Sequence, residues 1–273
     1  MKALNALFSL LITFMCPAMA QKLPNKQEGG VWASINNITK KENKWNLPYQ
    51  AYNSATEVFY TVANDDKNLY LVVKGEKPYI AAKMVYYKVT FQAKSNDVDL
   101  LVKFPVLDRV TRLAITDRVR ARALKDITDA DILKAKKDSI AKVLNKQFLP
   151  QAKQFIVNYG KVFKDSTMSI YNEAGILISH HVESDLAYVY ELTIPLKYLG
   201  IKPAEKDKHI AYTILLNGSE EDGVITTLSA DGKAIIRNSP DGKMGLVLTA
   251  TPEDIASSFP TKVSGEYKLA VGK

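Results

Sequence analysis

One cysteine, three histidines and two tryptophans are all that this 273-residue chain carries of those types. A lone thiol makes no internal disulfide, and so few thiols and imidazoles exclude cysteine-based zinc sites and most histidine-driven catalysis. There is no Gly-x-Ser-x-Gly elbow and no His-Glu-x-x-His pair, so the common hydrolase signatures are missing. No Gly-rich loop precedes a helix to cradle phosphate. The basic excess is modest. Lys and Arg number 37 against 29 Asp and Glu, a net +8, well short of the charge density of a dedicated nucleic-acid binder, and no nucleic-acid partner is expected. After residue 20 no uncharged apolar run reaches the roughly 20 residues of a membrane-spanning helix, so no transmembrane segment is expected. What the chain does have is 47% hydrophobic against 24% charged residues, the balance of a folded globular protein rather than a disordered one.

The leader at 1–20 reads as a secretory signal peptide. Lys2 supplies the positive end, Ala6 to Phe14 an apolar core too short to span a bilayer, and Pro17 breaks its helix. Ala18-Met19-Ala20 is the small-x-small pattern that signal peptidase reads, which would leave Gln21 first. Met15 before Cys16 is not the small residue that precedes a lipidated cysteine. Cleavage removes both Lys2 and Cys16. The expectation is an exported protein, periplasmic or extracellular.

After a polar, Gly-containing leader at 21–31, expected to be flexible, the pattern turns to strands. Val58, Tyr60 and Val62 alternate with Glu57, Phe59 and Thr61, and Asn64-Asp65-Asp66-Lys67-Asn68 is turn chemistry before a second strand, Leu69 to Lys74. A short helix is expected at 79–84, and strands at 87–93, 98–104, 167–172, 176–183 and 209–217. Leu186, Tyr188, Tyr190, Leu192 and Ile194 share one face at strict period two, closed by Pro195. Between these strands Thr128-Asp129-Ala130-Asp131 reads as an N-cap with an acidic residue three positions on, opening a helix in which Ile132, Leu133, Ile140, Val143, Leu144 and Phe148 recur at helical spacing until Pro150. The stretch after Gly223, punctuated by Gly232 and Gly242, reads as loops, with a closing strand at 266–271. Many short strands with turns between them predict an all-β, immunoglobulin-like antiparallel β-sandwich. It forms a single domain, 21–273, with an inserted helical segment at about 124–150.

Little chemistry assembles locally. His180 and His181 are adjacent on a strand and so point to opposite faces, and His209 stands alone. The acidic groups Asp65-Asp66, Asp97/Asp99 and Glu220-Glu221-Asp222 contain ligands for calcium or carboxylates for glycoside hydrolysis, but all lie in predicted turns, where solvated carboxylates are the ordinary case. No metal site or other cofactor is expected, calcium being the one ion these turns would suit. Glu191 differs: inside an apolar strand, it calls for a hydrogen-bond partner. Lys134, Lys137, Lys142 and Lys146 share a helix face that would suit an anionic polymer.

Two longer runs resemble a known family. Tyr60 to Val73, and Tyr190-Glu191-Leu192-Thr193-Ile194-Pro195-Leu196-Lys197-Tyr198-Leu199-Gly200-Ile201, resemble the strand–turn–strand and "YE-x-x-IPL-x-x-LG" segments of carbohydrate-binding module family 9-like (DOMON-like) sandwiches. Trp45 and the ending Gly265 to Ala270 fit the same order. The resemblance implies an immunoglobulin-like sandwich and, in some members, sugar or haem binding. Trp45 matches a packing position, and Thr39 and Lys44 replace the acids expected before it. Haem-binding members use Met and His ligands, for which Met84, Met168 and His180 are the available residues. The expected function is an exported, non-catalytic glycan-binding or glycan-associated module, with Trp32, Tyr49 and Tyr52 as ligand-binding candidates. The alternatives are an envelope-interaction domain using the lysine helix, with an anionic envelope polymer or a protein as partner, and a haem-binding domain.

Overall fold

In a computed structural model of the chain, the described residues are 22–34, 38–39, 44–45, 48–95, 98–160, 163–202, 205, 208–239, 241 and 245–272. The leader with its cleavage site, Asp97 and Gly242, and the side chains of Thr39, Lys44 and Trp45, lie outside them.

The strands are β1 (Ile38–Thr39), β2 (Lys44–Trp45), β3 (Ala51–Asn53), β4 (Val58–Asn64), β5 (Asn68–Gly75), β6 (Val89–Ser95), β7 (Val98–Val106), β8 (Gln154–Tyr159) and β9 (Phe163–Ser169). They continue as β10 (Leu177–Val182), β11 (Tyr188–Pro195), β12 (His209–Leu216), β13 (Ile225–Leu228), β14 (Ala234–Asn238), β15 (Gly245–Thr249) and β16 (Thr261–Lys268). The α-helices are α1 (Pro78–Tyr86), α2 (Arg109–Arg120), α3 (Ala130–Val143) and α4 (Pro252–Ser258). Two antiparallel sheets form the body, a five-stranded one in the order β10-β11-β5-β4-β3 and a six-stranded one in the order β16-β12-β6-β7-β8-β9.

Alternation drives both. Tyr60, Val62, Leu71, Val73, Tyr188, Tyr190 and Leu192 face inward from the first sheet, and Phe91, Val102, Phe104, Phe155, Tyr212 and Ile214 from the second; all lie in one buried cluster. The layers meet through specific contacts as well as area. Tyr60 and Tyr212 join hydroxyls at 3.1 Å, and Phe104 stacks on Tyr190 with ring centres 5.7 Å apart. The Asn64–Asn68 turn closes as its chemistry predicts, Asp65 accepting from the backbone N–H of Lys67 (2.7 Å) and Asn68 (2.6 Å). The chain is therefore an all-β antiparallel sandwich with added helices.

Three expectations need correction. The helical segment starts at Arg109 rather than near 124 and runs through α2, α3 and a short π and 3-10 extension to Gln151. The inward face of α2 is Thr111, Ile115, Thr116 and Val119, half of it hydroxyl-bearing, so its hydrophobic period is weak. The Gly-punctuated stretch after 223 is not loop: β13, β14 and β15 form a third antiparallel sheet, α4 follows, and β16 begins at Thr261. The polar leader is docked at Gln27, whose Nε2 donates to the Val62 carbonyl and whose Oε1 accepts from the Val62 N–H, both at 2.7 Å.

Candidate functional site

The outer face of the five-stranded sheet collects most of the polar and aromatic side chains expected to bind a ligand. Pairing register aligns Tyr52, Phe59, Lys74, Val189 and His181 in one row across it, and Thr61, Val72, Glu191 and Ser179 in the next. Tyr49 arrives from outside the sheet and lies over these rows. Its approach is fixed by Pro48, whose carbonyl accepts from Thr61 Oγ1 (3.1 Å), and by Gln50, whose N–H donates to the same oxygen (3.0 Å).

Tyr49 and Tyr52 both pack on Phe59, with ring centres 5.8 and 4.7 Å from it. The three rings make a half-exposed aromatic edge on this face. Beside it Lys74 bridges Glu183 (2.8 Å) and Glu76 (2.9 Å), with its ammonium 6.0 Å from the centre of the Tyr49 ring. Burial works against the Lys74 charge, but the two carboxylates outweigh it and hold its pKa above the usual lysine value. Desolvation raises the Tyr49 hydroxyl, which Lys74 partly offsets, so it stays a neutral donor. Glu191 is buried at 4% exposure and accepts from the Ser179 hydroxyl, the partner its position in an apolar strand calls for.

Trp32 is elsewhere. It bridges Asn64, at the far end of β4 from Phe59, which puts it roughly 16 Å along the strand at about 3.3 Å per residue. There its ring lies against Gly272, where an added Cβ would come within 2.5 Å of it. The structure thus brings Tyr49 and Tyr52 together and leaves Trp32 outside their site, while Lys74, Glu183 and Glu76 join it without having been expected. Lys74 follows the period-two pattern of β5, but Glu76 and Glu183 lie beyond strand ends, and no spacing links them.

Most of the remaining candidates are committed to structure. Glu221 pairs with Lys88 (3.0 Å) and Lys103 (3.1 Å), and Asp222 with Arg112 (2.8 Å). Asp65 is occupied by its turn, and Asp99 pairs with Lys94 (2.9 Å). A carboxylate already holding a cation is a poor calcium ligand. Met84 is fully buried in the core. Both nitrogens of His180 are engaged, Nε2 at 3.1 Å from the Leu149 carbonyl and Nδ1 at 2.9 Å from the Tyr188 hydroxyl, which leaves neither free to serve as an axial metal ligand. On α3, Lys134 and Lys142 are exposed, and Lys142 pairs with Asp138 at 2.6 Å.

No protein-family model and no curated protein matches the chain. Among solved structures it is similar to a carbohydrate-binding module family 9 protein from Caldicellulosiruptor kristjanssonii, in complex with glucose. The two are 12% identical over 91% of this chain and 97% of that one, with a TM-score of 0.34. A likeness of that size carries no argument about a ligand.

Proposed function

We propose that the chain is an exported, non-catalytic glycan-binding module whose ligand site is the Tyr49–Tyr52–Phe59 edge. The observation that supports this is an aromatic edge outside the main core that is flanked by fixed charges. Aromatic faces take the C–H faces of a sugar, while the Lys74–Glu183–Glu76 group offers both donors and acceptors to hydroxyls. Export rests on the 1–20 leader.

The test is a thermal-shift and calorimetric screen of the purified protein against neutral and acidic oligosaccharides. A saturable rise in melting temperature, reduced at least tenfold in affinity by Tyr52→Ala, is the expected result. A flat screen on folded protein, or binding indifferent to Tyr52→Ala, removes the proposal.

One observation favours a second reading. α3 buries only Ala141 and keeps Lys134, Lys136 and Lys142 in solvent, a surface suited to an anionic envelope polymer. Attachment to envelope fractions that is released by salt and lost in a Lys134→Glu/Lys142→Glu variant would establish it.

A further inference from the structure

A cavity of about 420 Å³ opens between α1, α2, α4 and the third sheet, apart from both the sandwich core and the tyrosine edge. It is within the size range of small-ligand sites. Its walls carry four cations, Lys83, Arg120, Arg122 and Arg237, against two carboxylates, Asp117 and Asp254. Lys83 is spoken for: its ammonium donates to the carbonyls of Ala256 (2.8 Å) and Phe259 (2.6 Å) and to Thr261 Oγ1 (3.1 Å), fastening the end of α4 to α1.

The arginines are not. Among the described residues none of the three forms an ion pair. Arg237 donates only to the Ser258 hydroxyl (2.6 Å), and the Nε atoms of Arg120 and Arg237 are buried without an acceptor. Crowding one guanidinium toward another costs energy unless an anion joins them. Here the fold enforces it: α2 ends at Ala121 in the left-handed conformation (φ 47°), and Arg120 and Arg122 on either side both line the cavity, with β14 supplying Arg237. Burial and the neighbouring Arg122 charge together lower the Arg120 pKa even against the opposing pull of Asp117 and Asp254, so the cavity's carboxylates do not fully compensate its cations.

The rest of the lining narrows the ligand. Asp117, Asp254, Thr116, Thr249 and Ser257 offer acceptors and donors for hydroxyls. We propose that this cavity binds a small polyhydroxylated ligand bearing one oxyanion group, of the hexuronate or sugar-phosphate class, with Arg120, Arg122 and Arg237 holding the anion and Asp117 and Asp254 accepting from its hydroxyls. Planar guanidinium forks suit carboxylate and phosphoryl oxygens alike. The inference does not rest on the tyrosine edge.

The test is calorimetric titration of the purified protein with D-glucuronate, glucose 6-phosphate, glucose and inorganic phosphate, each alone. Saturable binding of glucuronate or glucose 6-phosphate is expected, at least tenfold tighter than glucose and than inorganic phosphate. Which of the two binds tighter identifies the oxyanion. Arg122 is exposed, so Arg122→Glu should keep the wild-type melting temperature while weakening the charged sugar at least tenfold; Asp117→Asn should weaken the sugar but not inorganic phosphate. Tyr52→Ala should leave this binding unchanged, which separates it from the proposed glycan site. Glucose binding as well as the charged sugars, inorganic phosphate binding as well as either, no charged sugar binding at all, or an unaffected Arg122→Glu variant would each overturn the proposal.

Discussion

Tyr190 places a hydroxyl in the core of the sandwich with no hydrogen-bond partner among the described residues, while its ring stacks on Phe104. The ring stabilises through area and stacking, whereas the buried oxygen carries an uncompensated desolvation cost of about 1–3 kcal/mol. Tyr190→Phe keeps the first and removes the second, so it should stabilise by about 1 kcal/mol in urea or guanidinium unfolding; a loss of stability would show that the hydroxyl has a partner. His180 is the opposite case, a buried ring with both nitrogens hydrogen-bonded. Desolvation, partly offset by the Leu149 carbonyl, pushes its pKa down to about 4, from the 6.5 of an unperturbed imidazole. Between those values the unfolded chain binds a proton that the folded chain refuses, so the stability of the neutral ring is whole above pH 6.5 and is lost as pH falls toward 4. The span is worth about 3–4 kcal/mol at roughly 1.4 kcal/mol per pH unit. Unfolding free energies measured at pH 7 and pH 4.5 should diverge for the native chain and much less for His180→Phe; equal slopes in the two proteins would refute the assignment.

Elements with strong local signals were legible in the chain: β4 and β11 carry one apolar face at period two, β5 is an apolar run after a turn, and α3 begins at the Thr128–Asp131 cap signal, although the capping side chain is Asp129, one residue beyond Thr128, which accepts from the N–H of Asp131 and Ile132 at 3.0 Å. Elements whose buried face is polar or thin were not. α2 hides two threonines, and its start at Asp108, which accepts from the Thr111 N–H at 3.0 Å, was a capping signal without a strong hydrophobic period behind it. The third sheet buries Ile235 but leaves Ile225 and Val247 more than half exposed, so its alternation points nowhere obvious. The tyrosine edge was half legible, since Tyr49 and Tyr52 are close in the chain, whereas the charges beside them come from β5 and from just beyond the ends of β5 and β10. Gln27 shows the same difficulty. Its amide pairs with the Val62 backbone as a neighbouring strand would, because β3 is only three residues long and its ladder with β4 stops at Tyr60. Gln27→Ala strands both Val62 groups and should cost about 1–3 kcal/mol, while Gln27→Glu, which accepts but cannot donate to the carbonyl, should recover only part of it. Amide exchange at Val62 would report the loss directly; unchanged protection would mean the leader is dispensable.

At the scale of the molecule, a single residue joins the two sheets at the end opposite the tyrosine edge. Asn64, the last residue of β4, is buried, and its Oδ1 accepts from the Tyr267 hydroxyl and the Ala270 N–H, both at 2.7 Å, while its Nδ2 donates to the Ala270 carbonyl at 3.0 Å. Tyr267 belongs to β16, an edge strand that pairs only with β12, and β12 in turn reaches the first sheet through the Tyr60–Tyr212 hydroxyl contact. Gly265 of β16 permits that arrangement, since a Cβ there would come within 2.6 Å of the Tyr212 hydroxyl. Loosening the end of β16 therefore exposes Tyr212 and the seam between the layers, so the edge strand should not melt ahead of the core. Asn64→Ala removes four side-chain hydrogen bonds at once, the one from Tyr267 buried and the others partly buried, and should cost about 2–4 kcal/mol, with the transition staying single. Trp32 packs at this end, against Gly272, so in a Trp45→Phe background tryptophan fluorescence follows the seam while far-ultraviolet circular dichroism follows the sheets. Their melting curves should coincide in that background and shift down together when Asn64→Ala is added; a fluorescence transition well below the dichroism one would mean that β16 opens by itself and that the sandwich stands without it.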